Sequence, residues 1–350
     1  MPTTPMLTTP MLGTPMPTTP MLRTLSAMAA DVEAILRGAR RPLIIGMGGG
    51  GDVVGALATA ESMRLLDGAE PLVGGVTWER RPIDPAAGPR RSEEVEQARE
   101  LADGVMLAGP TTRVRGSEVY FAESRMAAYL DRPTLLIDVN RGAPSVASGL
   151  WQAIDELERD LTVFVDVGGD VLARGDELGL RSPLCDSVML AAAALLGRRG
   201  HPVLLGVFGI GCDAELTPDE VLERLSLVAA ADGLCGARGL TEPVARSLEG
   251  SLELVPTEAS AQAVRAFRGV SGEVRIRGGE RRLELSPLAA LTYYLDVEAT
   301  LASAGGLARL VIDAPDLEHA NDALHAAGVR TELDLERRAA GEPGWEAPRD

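Results

Sequence analysis

The chain has 350 residues, 45% of them hydrophobic but only 3% aromatic, and carries a formal net charge of −17. That length and apolar content exclude wholesale disorder and suffice for one large domain, or one domain with an appendage, whose core is aliphatic. The acidic balance, with no basic stripe, argues against nucleic acid and anionic membranes as partners.

Residues 3–22 repeat a five-residue Thr/Pro/Met unit with proline in each copy, which supports neither a helix ladder nor a central strand. Residues 1–26 are therefore expected to be a disordered tail, with folded structure beginning in a helix over Ala27–Arg37. From Pro42 onward short apolar runs alternate with helical patterns, the signature of βαβ units. Strands are predicted at Leu43–Met47, Leu72–Trp78, Gly104–Ala108, Thr134–Asp138, Thr162–Asp166 and Val203–Phe208. Helices are predicted between them at Asp52–Leu66, Ser92–Leu101, Ser117–Leu130, Ser145–Glu158 and Pro183–Leu196, followed by Pro218–Ala230. The expectation is an α/β fold over 27–235 with a doubly wound, mostly parallel, Rossmann-like sheet. Beyond it, residues 236–335 read as a small C-terminal α+β appendage packed on the sheet. Its elements are a helix at Glu258–Phe267, a hairpin of Glu273–Arg277 with Arg281–Leu285, and helices near Leu288–Ala302 and Leu317–Ala327. Residues 336–350 are polar and read as a frayed end.

In such a sheet ligands bind outside the carboxyl ends of the strands, so the loops there carry the chemistry. The first loop contains Gly46, Gly48, Gly49, Gly50 and Gly51. It fits G-x-G-x-x-G between a predicted strand and a predicted helix, where backbone N–H groups can meet an anion. Asp52, at the helix start, caps the helix, binds a ribose hydroxyl or holds a metal that bridges to phosphate. The second strand ends in Thr77-Trp78-Glu79-Arg80, where a dinucleotide site calls for a ribose-binding acid; Glu79 and Arg80 are instead candidate catalytic and anion-binding groups.

Asp138 and Arg141 follow the fourth strand, while Asp166, Gly168, Gly169 and Asp170 follow the fifth. Carboxylates at what read as neighbouring strand ends suit Mg²⁺ or general-base work. The sixth strand adds Asp213 and Glu215, with Thr217-Pro218 reading as a helix cap, and Ser182, Pro183 and Asp186 start the preceding helix. His201, His319 and His325 fall away from these loops, which argues against Ser-His-Asp and Cys-His catalysis. Cys185, Cys212 and Cys235, without C-x-x-C spacing, read as small buried thiols of a reducing compartment. All 34 basic residues are arginine. Schiff-base lysine chemistry is thus excluded, and any phosphate clamp must use arginine or backbone N–H. With no apolar run of roughly 20 residues to span a membrane and no signal-like start, the protein is expected to be cytoplasmic, and its surface is compatible with a homo-oligomer.

Four of these loops occur together and in order. They are Gly-Gly-Gly-Gly-Asp at 48–52; Thr-Trp-Glu-Arg at 77–80 with Asp84-Pro85 and Gly88-Pro89; Asp-Val-Gly-Gly-Asp at 166–170 with Ser-Pro-Leu-Cys-Asp at 182–186; and Gly-Ile-Gly-Cys-Asp-Ala-Glu-Leu at 209–216. The set resembles the bacterial and archaeal domain of unknown function numbered 1152, over about residues 40 to 330. The resemblance implies a shared fold and a shared glycine-rich, acidic site, and brings no reaction with it.

From the residues, the expected function is an enzyme acting on a nucleotide or small phosphorylated metabolite. The anionic ligand would rest on the glycine turn with Gly168, Gly169 and Asp213 nearby. Asp52, Asp138 and Asp170 would hold Mg²⁺, Arg80 and Arg141 would balance charge, and Glu79, Asp138 and Asp170 would supply catalytic carboxylates. The alternatives are a ligand-binding or regulatory module without turnover and, with the ribose-binding acid missing, a nicotinamide-dependent oxidoreductase.

Overall fold

The computed structural model describes residues 31–342. The repeat at 3–22, and positions 343–350 of the expected frayed end, lie outside the described residues. The first half of the chain gives Val32–Gly38 (α1), Leu43–Gly46 (β1), Asp52–Asp67 (α2), Leu72–Val76 (β2), Val95–Ala102 (β3), Val105–Val114 (β4), Ala122–Leu130 (α3), Thr134–Ile137 (β5), Gly142–Glu156 (α4) and Thr162–Val167 (β6). Pro183–Arg198 (α5), Val203–Phe208 (β7), Pro218–Ala230 (α6), Leu234–Gly239 (β8), Glu242–Leu252 (α7) and Glu258–Phe267 (α8) follow. The chain continues through Gly272–Ile276 (β9), Arg281–Leu285 (β10), Leu291–Leu295 (β11), Val297–Ser303 (α9), Gly306–Val311 (α10), Leu317–Ala326 (α11) and Glu332–Ala339 (α12).

The fold is α/β, built on a nine-stranded mixed sheet in the order β3-β4-β5-β2-β1-β6-β7-β11-β8. The five central strands, β5-β2-β1-β6-β7, run parallel, and antiparallel strands flank them on both sides. β1, β2, β5 and β6 are buried along their whole length. Such uninterrupted aliphatic runs are what a parallel sheet covered on both faces requires. Period-two alternation divides them between two cores: Leu43, Ile45 and Phe164 pack with α4 and α5, whereas Ile44, Val163 and Val165 pack with α2, α7 and α8.

The sequence reading erred on the flanks. Ser92–Leu101 is no helix: after one 3-10 turn at Ser92–Glu94 it becomes β3, paired antiparallel with β4. Ala102 faces Val105 across the two-residue turn Asp103-Gly104, whose glycine takes φ 76°. The Asp-Gly turn set the hairpin against the helix propensity of Glu, Gln and Arg. Within Leu288–Ala302, the expected helix yields β11, rich in Thr and Tyr, which fit a pleated surface better than a helix. β11 lies inside the large sheet, between β7 and β8, so residues 236–335 contribute to the main sheet as well as forming the β9-β10 hairpin. The polar end also departs from expectation, because residues 336–339 complete α12 with Glu336 buried.

Candidate functional site

The chain leaves β1 toward β2 on one side of the sheet and returns to β6 on the other. The loops after β1 and β6 therefore diverge, which opens a crevice at the carboxyl ends of these strands. A cleft of about 390 Å³ lies there, floored by Gly48–Gly51, Asp52, Ser182, Asp213 and Glu215, with Thr257 on one wall and Arg81 and Arg277 at the rim.

The glycine turn is packed tightly against the protein. A Cβ at Gly46 would meet Asp52 backbone at 2.4 Å, one at Gly49 the Trp78 carbonyl oxygen at 2.8 Å, and one at Gly51 the Thr257 Cβ at 2.7 Å. The Gly48 N–H donates to Asp52 Oδ2 at 2.9 Å and the Gly50 N–H to the Trp78 carbonyl at 2.9 Å. Half of the expected phosphate cradle is thus consumed internally, and the N–H groups of Gly49 and Gly51 have no protein acceptor among the described residues. Asp52 is the first residue of α2, yet its carboxylate faces back into the turn rather than capping the helix.

Two trios of acids converge behind the turn. Asp52, Asp166 and Asp186 each place one carboxylate oxygen within 4.8 Å of the others, and Asp170, Asp213 and Glu215 do the same. Octahedral Mg²⁺ binds oxygens at about 2.1 Å, so ligands on opposite sides of it stand roughly 4.2 Å apart, a separation these groups reach with small rotations. Asp166 Oδ2 accepts the Gly169 N–H at 2.7 Å. Its Oδ1, like Asp186 Oδ1, is buried and meets no hydrogen-bond donor among the described residues. Burial lifts Asp166 to about 6, against the pull of the adjacent Asp170 carboxyl. Burial, reinforced by Asp166, pushes Asp52 well above the carboxylate range. Asp186 is raised by burial and by Asp166, Asp170 by burial and Asp186, and Asp213 by burial and Glu215. These shifts share one cause, the cost of burying carboxylates side by side, which a bound cation would relieve.

The second trio is fixed from several sides. Glu215 accepts the N–H groups of Arg181 and Ser182 at 2.6 and 2.8 Å and the Ser182 hydroxyl at 2.7 Å. Gly168 takes φ 124°, and a Cβ there would stand 2.2 Å from Asp213 Cγ, so only glycine admits that carboxylate. Gly169 makes room for Val221 in the same way, at 2.7 Å.

The family model described as a protein of unknown function, DUF1152, matches residues 43–340. The chain belongs to that family. Comparison with curated proteins and with solved structures finds no match.

The matched region includes α12, two of whose acids, Glu332 and Glu336, are not marked by any pattern in the sequence. Glu332 accepts the N–H groups of Leu184 and Cys185 at the start of α5, at 2.9 and 2.8 Å. Glu336 accepts Trp78 Nε1 at 3.0 Å and the Gly88 N–H at 2.8 Å. Both also face Arg80, at 3.6 and 3.3 Å. Burial opposes the Arg80 charge, but these carboxylates more than restore it and hold the guanidinium ionised. Arg80 stacks on Trp78 with 4.5 Å to the ring centroid and donates to the Gly48 carbonyl at 2.6 Å. It therefore fastens the glycine turn to α12 instead of standing free for an anion.

Asp138 and Arg141 do not join the acids. β5 is separated from β6 by β2 and β1, three interstrand steps of about 4.8 Å. Asp138 instead joins the loop before β3 to the turn after β5, with Oδ2 accepting the Ser92 N–H and hydroxyl at 2.8 Å each and Oδ1 the Asn140 N–H and side chain at 3.0 and 2.9 Å. Arg141 pairs with Asp103 at 2.7 Å, and both Asp138 and Arg141 line a different, smaller cleft. Their expected share in metal and ligand binding is thereby corrected. Glu79 is buried, and its Oε1 accepts the Ala122 N–H at the start of α3. Burial raises it to about 6, and its Oε2 lacks a donor among the described residues. Its position is that of a helix cap, away from the cleft lining. No described helix is long and apolar enough to cross a membrane.

Proposed function

We propose that the cleft binds a divalent cation together with the phosphate of a small anionic ligand. On this reading the protein is an enzyme that transfers or hydrolyses a group on a nucleotide or small phosphorylated metabolite. The reading takes the sheet as doubly wound and Rossmann-like, with its ligand at the switch between β1 and β6. One observation carries it: the carboxylates of Asp52, Asp166 and Asp186 converge to within 4.8 Å, and two of their buried oxygens, Asp166 Oδ1 and Asp186 Oδ1, lack a hydrogen-bond donor among the described residues. Leaving an ionised oxygen buried and unpaired is costly, and a cation is the partner that three converging carboxylates suit. Mg²⁺ fits an all-oxygen donor set.

The ligand's phosphate would then bridge the cation to the free N–H groups of Gly49 and Gly51 and to Arg81 and Arg277 on the rim. Asp170, buried beside Asp166, extends this acidic cluster toward Asp213 and Glu215. The nicotinamide reading loses ground, since Asp52 already holds the Gly48 N–H that a pyrophosphate would need.

Thermal shift of the wild-type chain against inorganic phosphate, nucleotides and sugar phosphates, each with and without Mg²⁺, tests the proposal beside Asp186→Asn. A compound that stabilises only with Mg²⁺, fails with the variant and is consumed on incubation supports the enzyme. The same compound recovered unchanged favours the binding module without turnover, and silence across the panel overturns the phosphate reading.

A further inference from the structure

Resting on that cation site, we propose that the cleft holds two divalent cations side by side, the second bound by Asp170, Asp213 and Glu215. The two trios are contiguous, because Asp166 of the first and Asp170 of the second stand against each other at the end of β6. Paired ions in such sites lie about 3.5–4 Å apart and are joined by carboxylates reaching both. Asp166 is shaped for this role. It is 1% exposed, one oxygen accepts the Gly169 N–H, Oδ1 is buried without a backbone donor, and the side chain lies against the Asp170 carboxyl. Asp186, 2% exposed, likewise leaves Oδ1 unpartnered.

Charge balance asks for more than one ion. Six carboxylates converge, and the nearby guanidinium groups are those of Arg80 and Arg281. Arg80 is committed to Glu332 and Glu336, and Arg281 reaches Glu215 at 3.3 Å. One divalent ion and one arginine would balance three of the six carboxylates and leave the rest to be neutralised by protons, whereas two ions would nearly balance all six when ionised. The fold also gives up a side chain to assemble the second trio, since any Cβ at residue 168 would collide with Asp213. Ser182 completes its wall, its hydroxyl 2.7 Å from Glu215 Oε1 and 3.4 Å from Asp170 Oδ2. The ligand class that follows is an oxyanion able to bridge both ions, as a phosphate does.

The test uses the full chain, stripped with a chelator and titrated with Mn²⁺, with bound metal counted from the electron paramagnetic resonance of the free ion and coupling read from the spectrum of the bound ions. The expected result is two Mn²⁺ per chain with a spin-coupled spectrum, falling to one uncoupled Mn²⁺ in Asp213→Asn. Asp170→Asn provides the second variant, and circular dichroism confirms that each is folded. One Mn²⁺ per chain in the wild type, unchanged in both folded variants, overturns the second ion and leaves the single-cation reading standing. No bound Mn²⁺ overturns both.

Discussion

Gly48→Ala perturbs the first trio without touching any carboxylate's chemistry. Gly49 and Gly50 take φ of 80° and 63°, but Gly48 is not among the left-handed glycines, so its backbone accepts alanine. The new Cβ would stand 2.6 Å from Asp52 Oδ2 and 3.1 Å from Asp186 Oδ1, whereas ordinary contact begins at 3.4 Å. Asp52 must therefore retreat by about 0.8 Å and Asp186 by about 0.3 Å, when cation ligands tolerate displacements of only ~0.2 Å. Disturbing ligand placement on this scale lowers affinity by roughly 10- to 100-fold, about 1.4–2.8 kcal/mol. The metal-free protein should change by no more than about 1 kcal/mol, because only side-chain ends move. Calorimetric titration with Mg²⁺, paired with thermal melts in chelator, reads both quantities. A folded Gly48→Ala protein that binds Mg²⁺ as tightly as wild type would refute the assignment of Asp52 and Asp186 as ligands.

Glu79→Gln should stabilise the protein at neutral pH while keeping the acceptor for Ala122. Burial lifts the Glu79 carboxyl from 4.5 to about 6, in a setting shared with Glu123, Asp84, Arg125 and Arg80. A raised folded value means that the unfolded chain ionises first, so wild-type stability falls as pH rises from about 4.5 to about 6. The glutamine variant escapes this loss, gaining at most about 2 kcal/mol above pH 6 and nothing near pH 4. Denaturant titrations at pH 4.5 and 7.5 check it, and an equal difference at both would contradict it. Glu336→Ala orphans Trp78 Nε1 and the Gly88 N–H and removes one of the acids holding Arg80. It should cost about 3–5 kcal/mol and lower the melting temperature accordingly; a loss below about 1 kcal/mol would show that α12 does not secure the site.

How far the sequence discloses this arrangement depends on the range of the interactions involved. Local chemistry was legible: Thr217-Pro218 does cap α6, its hydroxyl accepting the Glu220 N–H at 3.2 Å, and the runs of β1, β2, β6 and β7 announce buried strands. Asp52, Asp170 and Asp213 stand out in the sequence because each follows a glycine turn at a strand end, and the fold brings them into the two acidic trios. Strand order is a long-range property, however. Reading the fourth and fifth predicted strands as neighbours drew Asp138 into the site, when β2 and β1 intervene. Asp186 is marked in the sequence as starting the helix beside the crevice, although a carboxylate in a first helical turn ordinarily serves the helix dipole. Glu332 and Glu336 sit in a polar stretch whose partners, Leu184, Cys185, Trp78 and Gly88, are about 150 to 260 positions away in sequence, and no local pattern marks such a helix as buried.

A cation between Asp166 Oδ1 and Asp186 Oδ1 is located most directly by anomalous diffraction from crystals soaked in Mn²⁺. The predicted result is a peak at roughly 2 Å from both oxygens, lost in Asp186→Asn and kept in Asp138→Asn. A water molecule there, or a peak confined to the Asp138 cleft, would contradict it.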